Sequence, residues 1–139
     1  MTGRILLVEA DAVLGEVLSE VLRHNGYEVN LVSTLIHSDI VHIDSVNAVI
    51  LDHDTTAAEK ELAWLNACHP CDESLPLVLM GLQAPQDLRH RVGVQLGLQT
   101  NTLTVVQKPF RNEELIAAVQ RARESRLPEQ ANGRSPKPL

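Results

Sequence analysis

The chain has 139 residues, 18 acidic against 12 basic, giving a formal net charge of -6 at pH 7. That length suits one domain with a real core, and the acidic balance argues against direct nucleic-acid binding. The two cysteines are too few for a disulfide framework, so a reducing cytoplasm is the expected setting. Ile5 to Val8 is too short for a signal core or a membrane span, so no membrane attachment is expected.

Ile5-Leu6-Leu7-Val8 is a short apolar run that ends on Glu9. Its length and its Ile and Val predict a strand buried on both faces. Leu14, Val17, Leu18, Val21 and Leu22 follow at helical spacing, with Asp11 placed as the N-cap and Asn25-Gly26 as the stop. Tyr27, Val29 and Leu31 alternate, which predicts a second strand and a right-handed β-α-β opening. Thr34 to Asp44 carries a short, weakly patterned helix. Its His37 and His42 read as surface or boundary residues, since too few further ligands are in reach for a metal site.

Ala48-Val49-Ile50-Leu51 is another uninterrupted apolar run, and Asp52 falls where it ends. In open α/β sheets the carboxyl ends of the strands line the ligand crevice. Asp52 is therefore a candidate nucleophile or metal ligand, the bland alternative being an acid that starts a turn. Thr56-Ala57-Ala58-Glu59 fits a capping box. The helix it opens carries Ala58, Leu62 and Leu65 as its buried stripe, with Trp64 at the flank, and ends near His69-Pro70. Cys68-His69-Pro70-Cys71 has redox spacing, but it follows a helix instead of starting one, so it reads as a loop.

Pro76 to Met80 is a further strand, ending at Gly81. Pro85 to Leu98 holds a helix with Leu88, Val92 and Leu96 on one side, although Val92, Val94, Leu96 and Leu98 also alternate and Gly93 and Gly97 weaken a helix. Leu103 to Val106 leads to Gln107-Lys108-Pro109-Phe110. Asn112, Glu113 and Glu114 open a last helix that carries Leu115, Ala118, Val119 and Ala122. The domain is expected over residues 1–125, with 126–139 a disordered tail or linker rich in proline and polar residues.

Strands and helices in this alternation imply a doubly wound parallel sheet with helices on both faces. Strands ending at Glu9, Asp52, Gly81 and Lys108 open on one crevice. Acids there suit Mg²⁺, a hard cation that prefers oxygen. An aspartate can attack phosphorus and carry an aspartyl phosphate, and a lysine can neutralise phosphoryl oxygens. A plain Lys108–Asp52 ion pair holding two loops is the structural alternative.

At residues 3 to 125 the chain resembles the receiver domain of two-component response regulators. The resemblance rests on Ile5 to Glu9, Val49 to Asp52, Leu75 to Leu79 and, most specifically, Lys108-Pro109-Phe110. It implies a five-stranded flavodoxin-like sheet in strand order 2-1-3-4-5. It further implies Asp52 as phosphoacceptor, Lys108 as the phosphoryl contact with a cis bond to Pro109, and Glu9 as the first of an acidic pair. A weak Mg²⁺ site would draw on Glu9, Asp52 and Asp54, the last at a position that gives the family's metal a backbone carbonyl. Partners by resemblance are a histidine kinase or phosphotransfer protein, and a downstream protein or second copy. The downstream partner would dock on the face of the fourth helix, fifth strand and fifth helix, near Arg89, Arg91, Arg121 and Arg123.

The departures from the family pattern are specific. Ala10 stands in place of the second acid, Gly81 in place of a Ser or Thr hydroxyl, Val105 in place of the switch aromatic and Thr56 in place of a common proline. The stretch from Gly81 to Lys108 is longer than usual and the second helix is shortened. Three readings follow. One is a receiver phosphorylated at Asp52, itself not an enzyme; another is a pseudo-receiver that acts by protein contact alone. The last is a haloacid-dehalogenase-like phosphatase suggested by the D-x-D-x-T run from Asp52, against which stands the lack of a later acidic pair.

Overall fold

The computed structural model describes residues 3–35, 46–68, 76–96 and 103–124. Its strands are β1 (Arg4–Val8), β2 (Glu28–Val32), β3 (Ala48–Asp52), β4 (Leu77–Gly81) and β5 (Thr104–Gln107). Its helices are α1 (Ala12–His24), α2 (Ala58–Cys68), α3 (Pro85–Leu96) and α4 (Asn112–Glu124). Residues 36–44 of the expected helix with its histidines, residues 69–71 of the C-x-x-C run, and the tail lie outside the described residues.

The strands form one sheet in the order β2-β1-β3-β4-β5, and every pair in it is parallel. Alternate residues of the central strands supply opposite faces of this sheet. Ile5, Leu7, Ile50, Val78 and Met80 point to one side, where Leu18 and Leu22 of α1 and Leu115, Ala118 and Val119 of α4 cover them. Leu6, Val8, Val49, Leu51 and Leu79 point to the other side, under Leu62 and Leu65 of α2 and Leu88 and Val92 of α3. Two apolar layers therefore lock the sheet, and the carboxyl ends of β1, β3, β4 and β5 are held in fixed register beside one another.

The start and stop of α1 are as the sequence predicts. Asp11 accepts the Leu14 N–H at 3.1 Å, and Gly26 takes a φ of 92° just past the helix end, a backbone region open to glycine. Its buried face differs from the expected stripe. Gly15, Leu18, Ser19 and Leu22 are buried, while Val13 and Val17 are 75% and 51% exposed. The small residues explain the rotation. A Cβ on Gly15 would stand 2.9 Å from Leu31 Cδ1, so the helix approaches β2 along its glycine side and turns the valines outward.

Helix α2 begins at Ala58, one residue too late for Thr56 to act in the expected capping box. Its stripe of Ala58, Leu62 and Leu65 is buried, and Glu61 is buried beside them. Glu61 accepts the Leu35 N–H at 3.0 Å, so a charged residue within the apolar stripe ties the end of the β2 segment to α2. Between the two patterns in this stretch, the helix prevails over Pro85–Leu96: Leu88 and Val92 are buried and Val94 is 70% exposed. At the start of α4, Glu114 reaches back to accept the Arg111 N–H at 2.6 Å, one arm of a capping box.

Candidate functional site

Backbone bonds at the strand ends set the site. Glu9 N–H donates to Val32 O at 3.0 Å, His53 N–H to Met80 O at 2.8 Å, and Lys108 N–H to Gly81 O at 2.8 Å. The residues just beyond β1, β3 and β5 are thereby clamped to the neighbouring strand. The Lys108–Pro109 bond is cis, as the resemblance implies.

Asp52 and Lys108 meet directly, with Lys108 Nζ 2.8 Å from Asp52 Oδ1. The same ammonium lies 3.2 Å from Asp54 Oδ2. Asp54 N–H donates to Asp52 Oδ1 at 3.0 Å, and Asp54 Oδ1 accepts the Leu82 N–H at 3.2 Å. Burial works to lower the Lys108 pKa, but hydrogen bonds and charge from Asp52 and Asp54 outweigh it, and the ammonium is held above its ordinary value of 10.5. Lys108 is therefore a fixed cation at any physiological pH.

Glu9 is 4% exposed. Its Oε2 accepts the Asp11 N–H at 3.2 Å, while Oε1 is buried without a hydrogen-bond partner. Burial, more than any other cause, pushes its carboxyl above the ordinary value of 4.5; the Asp11 N–H opposes this and the facing Asp52 charge adds to it. An orphaned carboxylate oxygen beside a second carboxylate fits a small hard cation. The Asp54 side chain is turned to Lys108 and Leu82, so the group it could offer a cation is its backbone carbonyl, the one the resemblance implies. Among the described residues, no group of three or more His, Cys, Asp or Glu side chains is arranged to hold a metal. Ala10 is exposed at the edge of the site and offers no ligand.

Gly81 and Val105 lie behind these charges. A Cβ on Gly81 would stand 3.0 Å from Leu88 Cδ2 and 3.5 Å from Asp54 Oδ1. Val105 is buried in the layer with Leu88 and Val92. His53 is half-buried, its pKa lowered by burial and then by Arg91, and its Nε2 has no partner. Sequence reasoning missed the Leu82 N–H as a donor and the engagement of the Asp54 side chain; a backbone N–H has no sequence signature.

The arginines expected on the face of α3, β5 and α4 divide. Arg89 donates to Leu103 O at 3.0 Å. Arg123 lies over the Tyr27 ring, 5.7 Å from its centroid, on the α1 side of the sheet. Arg121 is exposed, and Arg91 lies beside Gln83.

No family model matches the chain. Over 128 residues, 86% of this chain, it is 32% identical to the DNA-binding response regulator MtrA of Mycobacterium tuberculosis (strain ATCC 25618 / H37Rv). The match to MtrA of Mycobacterium leprae (strain TN) has the same identity. The chain spans about half the length of the curated relatives it matches, 50% in each case. Among solved structures, the non-phosphorylated HemR receiver domain from Leptospira biflexa aligns with a TM-score of 0.68 and 27% identity, covering 86% of this chain and 93% of that one. A CheY-like response regulator receiver domain from Methanospirillum hungatei JF-1 aligns with a TM-score of 0.67 at 15% identity, over 93% of this chain and 99% of that one, a likeness of fold alone. No helix among the described residues is long and apolar enough to cross a membrane. With its 2-1-3-4-5 parallel sheet, its Asp and Lys at the carboxyl ends of β3 and β5 and these relatives, the chain belongs to the receiver domains of two-component response regulators.

Proposed function

We propose that this receiver accepts a phosphoryl group on Asp52 from a histidine kinase or phosphotransfer protein. The observation that carries the reading is the buried Asp52 carboxylate at the end of β3 with the Lys108 ammonium 2.8 Å from Oδ1. Lys108 and the Asp54 N–H both engage Oδ1, which leaves Oδ2 as the attacking oxygen. Oδ2 forms a bond to phosphorus as the phosphohistidine P–N bond breaks; the electron pair of that bond returns to the imidazole, and an aspartyl acyl phosphate results. Lys108 offsets charge on the phosphoryl oxygens throughout. Mg²⁺, when bound, supplies charge screening between the carboxylates and the phosphoryl group. Glu9 and Asp52 are the residues that would hold it, and with Ala10 beside them the affinity is weak.

The test is incubation of the whole chain with phosphoramidate and Mg²⁺, followed by intact mass, with Asp52→Asn as control. One phosphoryl increment on the wild type and none on the variant is expected; equal labelling of both sinks the assignment.

A second reading, a pseudo-receiver acting by contact alone, is favoured by Ala10, Gly81 and Val105 at the metal and switch positions. It predicts no increment on the wild type. The phosphatase reading is not favoured, because both Asp54 oxygens are engaged, one by Leu82 N–H and one by Lys108. For the downstream partner, Val94 of α3 and Arg121 of α4 are exposed, which supports a docking face of α3, β5 and α4. Substitution there is expected to weaken association with a partner or second copy.

A further inference from the structure

We propose that the Asp54 carboxylate is a resident anion that fills the phosphoryl subsite beside Asp52 and competes with the incoming group. The proposal rests on the reading of Asp52 as acceptor and adds how access to that site is regulated. A phosphoryl group on Asp52 needs donors next to the β3, β4 and β5 ends. Those donors are the Leu82 N–H after β4 and the Lys108 ammonium after β5. Both are already bound by one carboxylate, Asp54 Oδ1 to Leu82 N at 3.2 Å and Oδ2 to Lys108 Nζ at 3.2 Å.

The backbone ties this carboxylate in place. Asp54 N–H donates to Asp52 Oδ1 at 3.0 Å, so the residue that bears the competing anion also grips the acceptor. A Cβ at Gly81 would stand 3.5 Å from Asp54 Oδ1, in ordinary contact, and only a longer side chain there would have to share the space that the carboxylate uses. An anion tethered two residues from the acceptor competes at a high effective concentration. A phosphoryl group bound to Asp52 must therefore displace the Asp54 side chain, which removes a carboxylate from its ammonium and places it near a like charge.

The test uses the whole ¹⁵N-labelled chain as wild type, Asp54→Ala and Asp54→Asn. Each is titrated with inorganic phosphate while the Leu82 amide signal is followed, and each is separately treated with phosphoramidate and Mg²⁺ and weighed intact. In Asp54→Ala the Leu82 amide should shift before any phosphate is added. Phosphate should then bind at least about tenfold tighter than to wild type, and Asp52 should label about tenfold faster. Asp54→Asn keeps an oxygen for the Leu82 N–H without the charge, so it should fall between and guards against a folding defect in the alanine variant.

An unshifted Leu82 amide together with unchanged phosphate affinity in both variants overturns the proposal, whatever Asp52 does. If no protein labels yet phosphate affinity rises, the resident anion stands and the acceptor assignment falls. If all label at one rate and phosphate affinity is flat, the acceptor stands and the resident anion falls.

Discussion

The two halves of the carboxyl edge are built differently. On the β1 side stand Glu9, with Oε1 buried and unpartnered, and the exposed Ala10. On the β3-β4-β5 side, Asp52, Asp54, the Leu82 N–H and Lys108 are joined by direct bonds. One half has an acceptor without a donor; the other has matched its donors and acceptors within itself. A buried polar group is costly when unpaired and close to neutral when paired. The same sheet thus presents a half that is open to a cation and a half that is closed upon its own charges.

The largest expected effect comes from breaking the paired half. Lys108→Met leaves two carboxylates without their ammonium. Buried pairs broken in this way cost ~3–5 kcal/mol, and partial exposure here reduces the expectation to about 2 kcal/mol by urea denaturation. The Lys108 pKa is raised, so its contribution is fully present below the unfolded value of 10.5 and is lost as pH rises through the folded value. The deficit of the variant should accordingly be flat through neutral pH and close only in strong alkali.

Next in size is Val105→Tyr. Val105 is packed in the layer with Leu88 and Val92, so the phenol overpacks that layer if it turns inward, at about 1–3 kcal/mol. A melting temperature equal to wild type would show that the ring stays outside.

On the open half, Ala10→Asp should add a ligand next to Glu9. Mg²⁺ affinity by calorimetric titration is expected to rise about tenfold, or ~1.4 kcal/mol. No change would mean that the β1 edge is not the cation side.

The smallest effect is Glu9→Gln, about 1 kcal/mol of added stability at neutral pH, from removing a buried, unpaired carboxylate charge that faces Asp52. The Glu9 pKa is raised, so its favourable contribution is present below the unfolded value of 4.5 and is lost as pH rises through the folded value. The advantage of the variant should grow across that window and level off above it. A constant difference at every pH would contradict the burial of a charged Glu9.

The sheet was legible because its signal is local. Runs such as Ile5 to Val8 and Ala48 to Leu51 have a length and a β-branched content that only a doubly covered strand suits, and four of them end on one edge whatever the helices do. The face of α1 was not legible. Spacing selected Leu14 and Val17, but the close approach of Gly15 to Leu31 decides the rotation, and that contact depends on tertiary packing. Glu61 was hidden in the same way: a carboxylate inside an apolar stripe reads as surface until the Leu35 N–H is seen against it. In the site, Asp52 and Lys108 could be placed from their strand ends. The Asp54 side chain could not, since its partners are a backbone N–H and an ammonium contributed by different strand ends.

The closed half of the site requires Asp54 and Lys108 to be bound to one another in solution. A double-mutant cycle of Asp54→Asn and Lys108→Met, read by urea denaturation of the whole chain, measures that bond directly. The exposed Arg4–Glu28 pair, 3.0 Å apart, provides a reference cycle expected to couple by less than about 0.5 kcal/mol. A coupling of about 1–2 kcal/mol for Asp54 and Lys108 is expected. A value no larger than that of the surface pair would contradict the closed, self-paired half of the site.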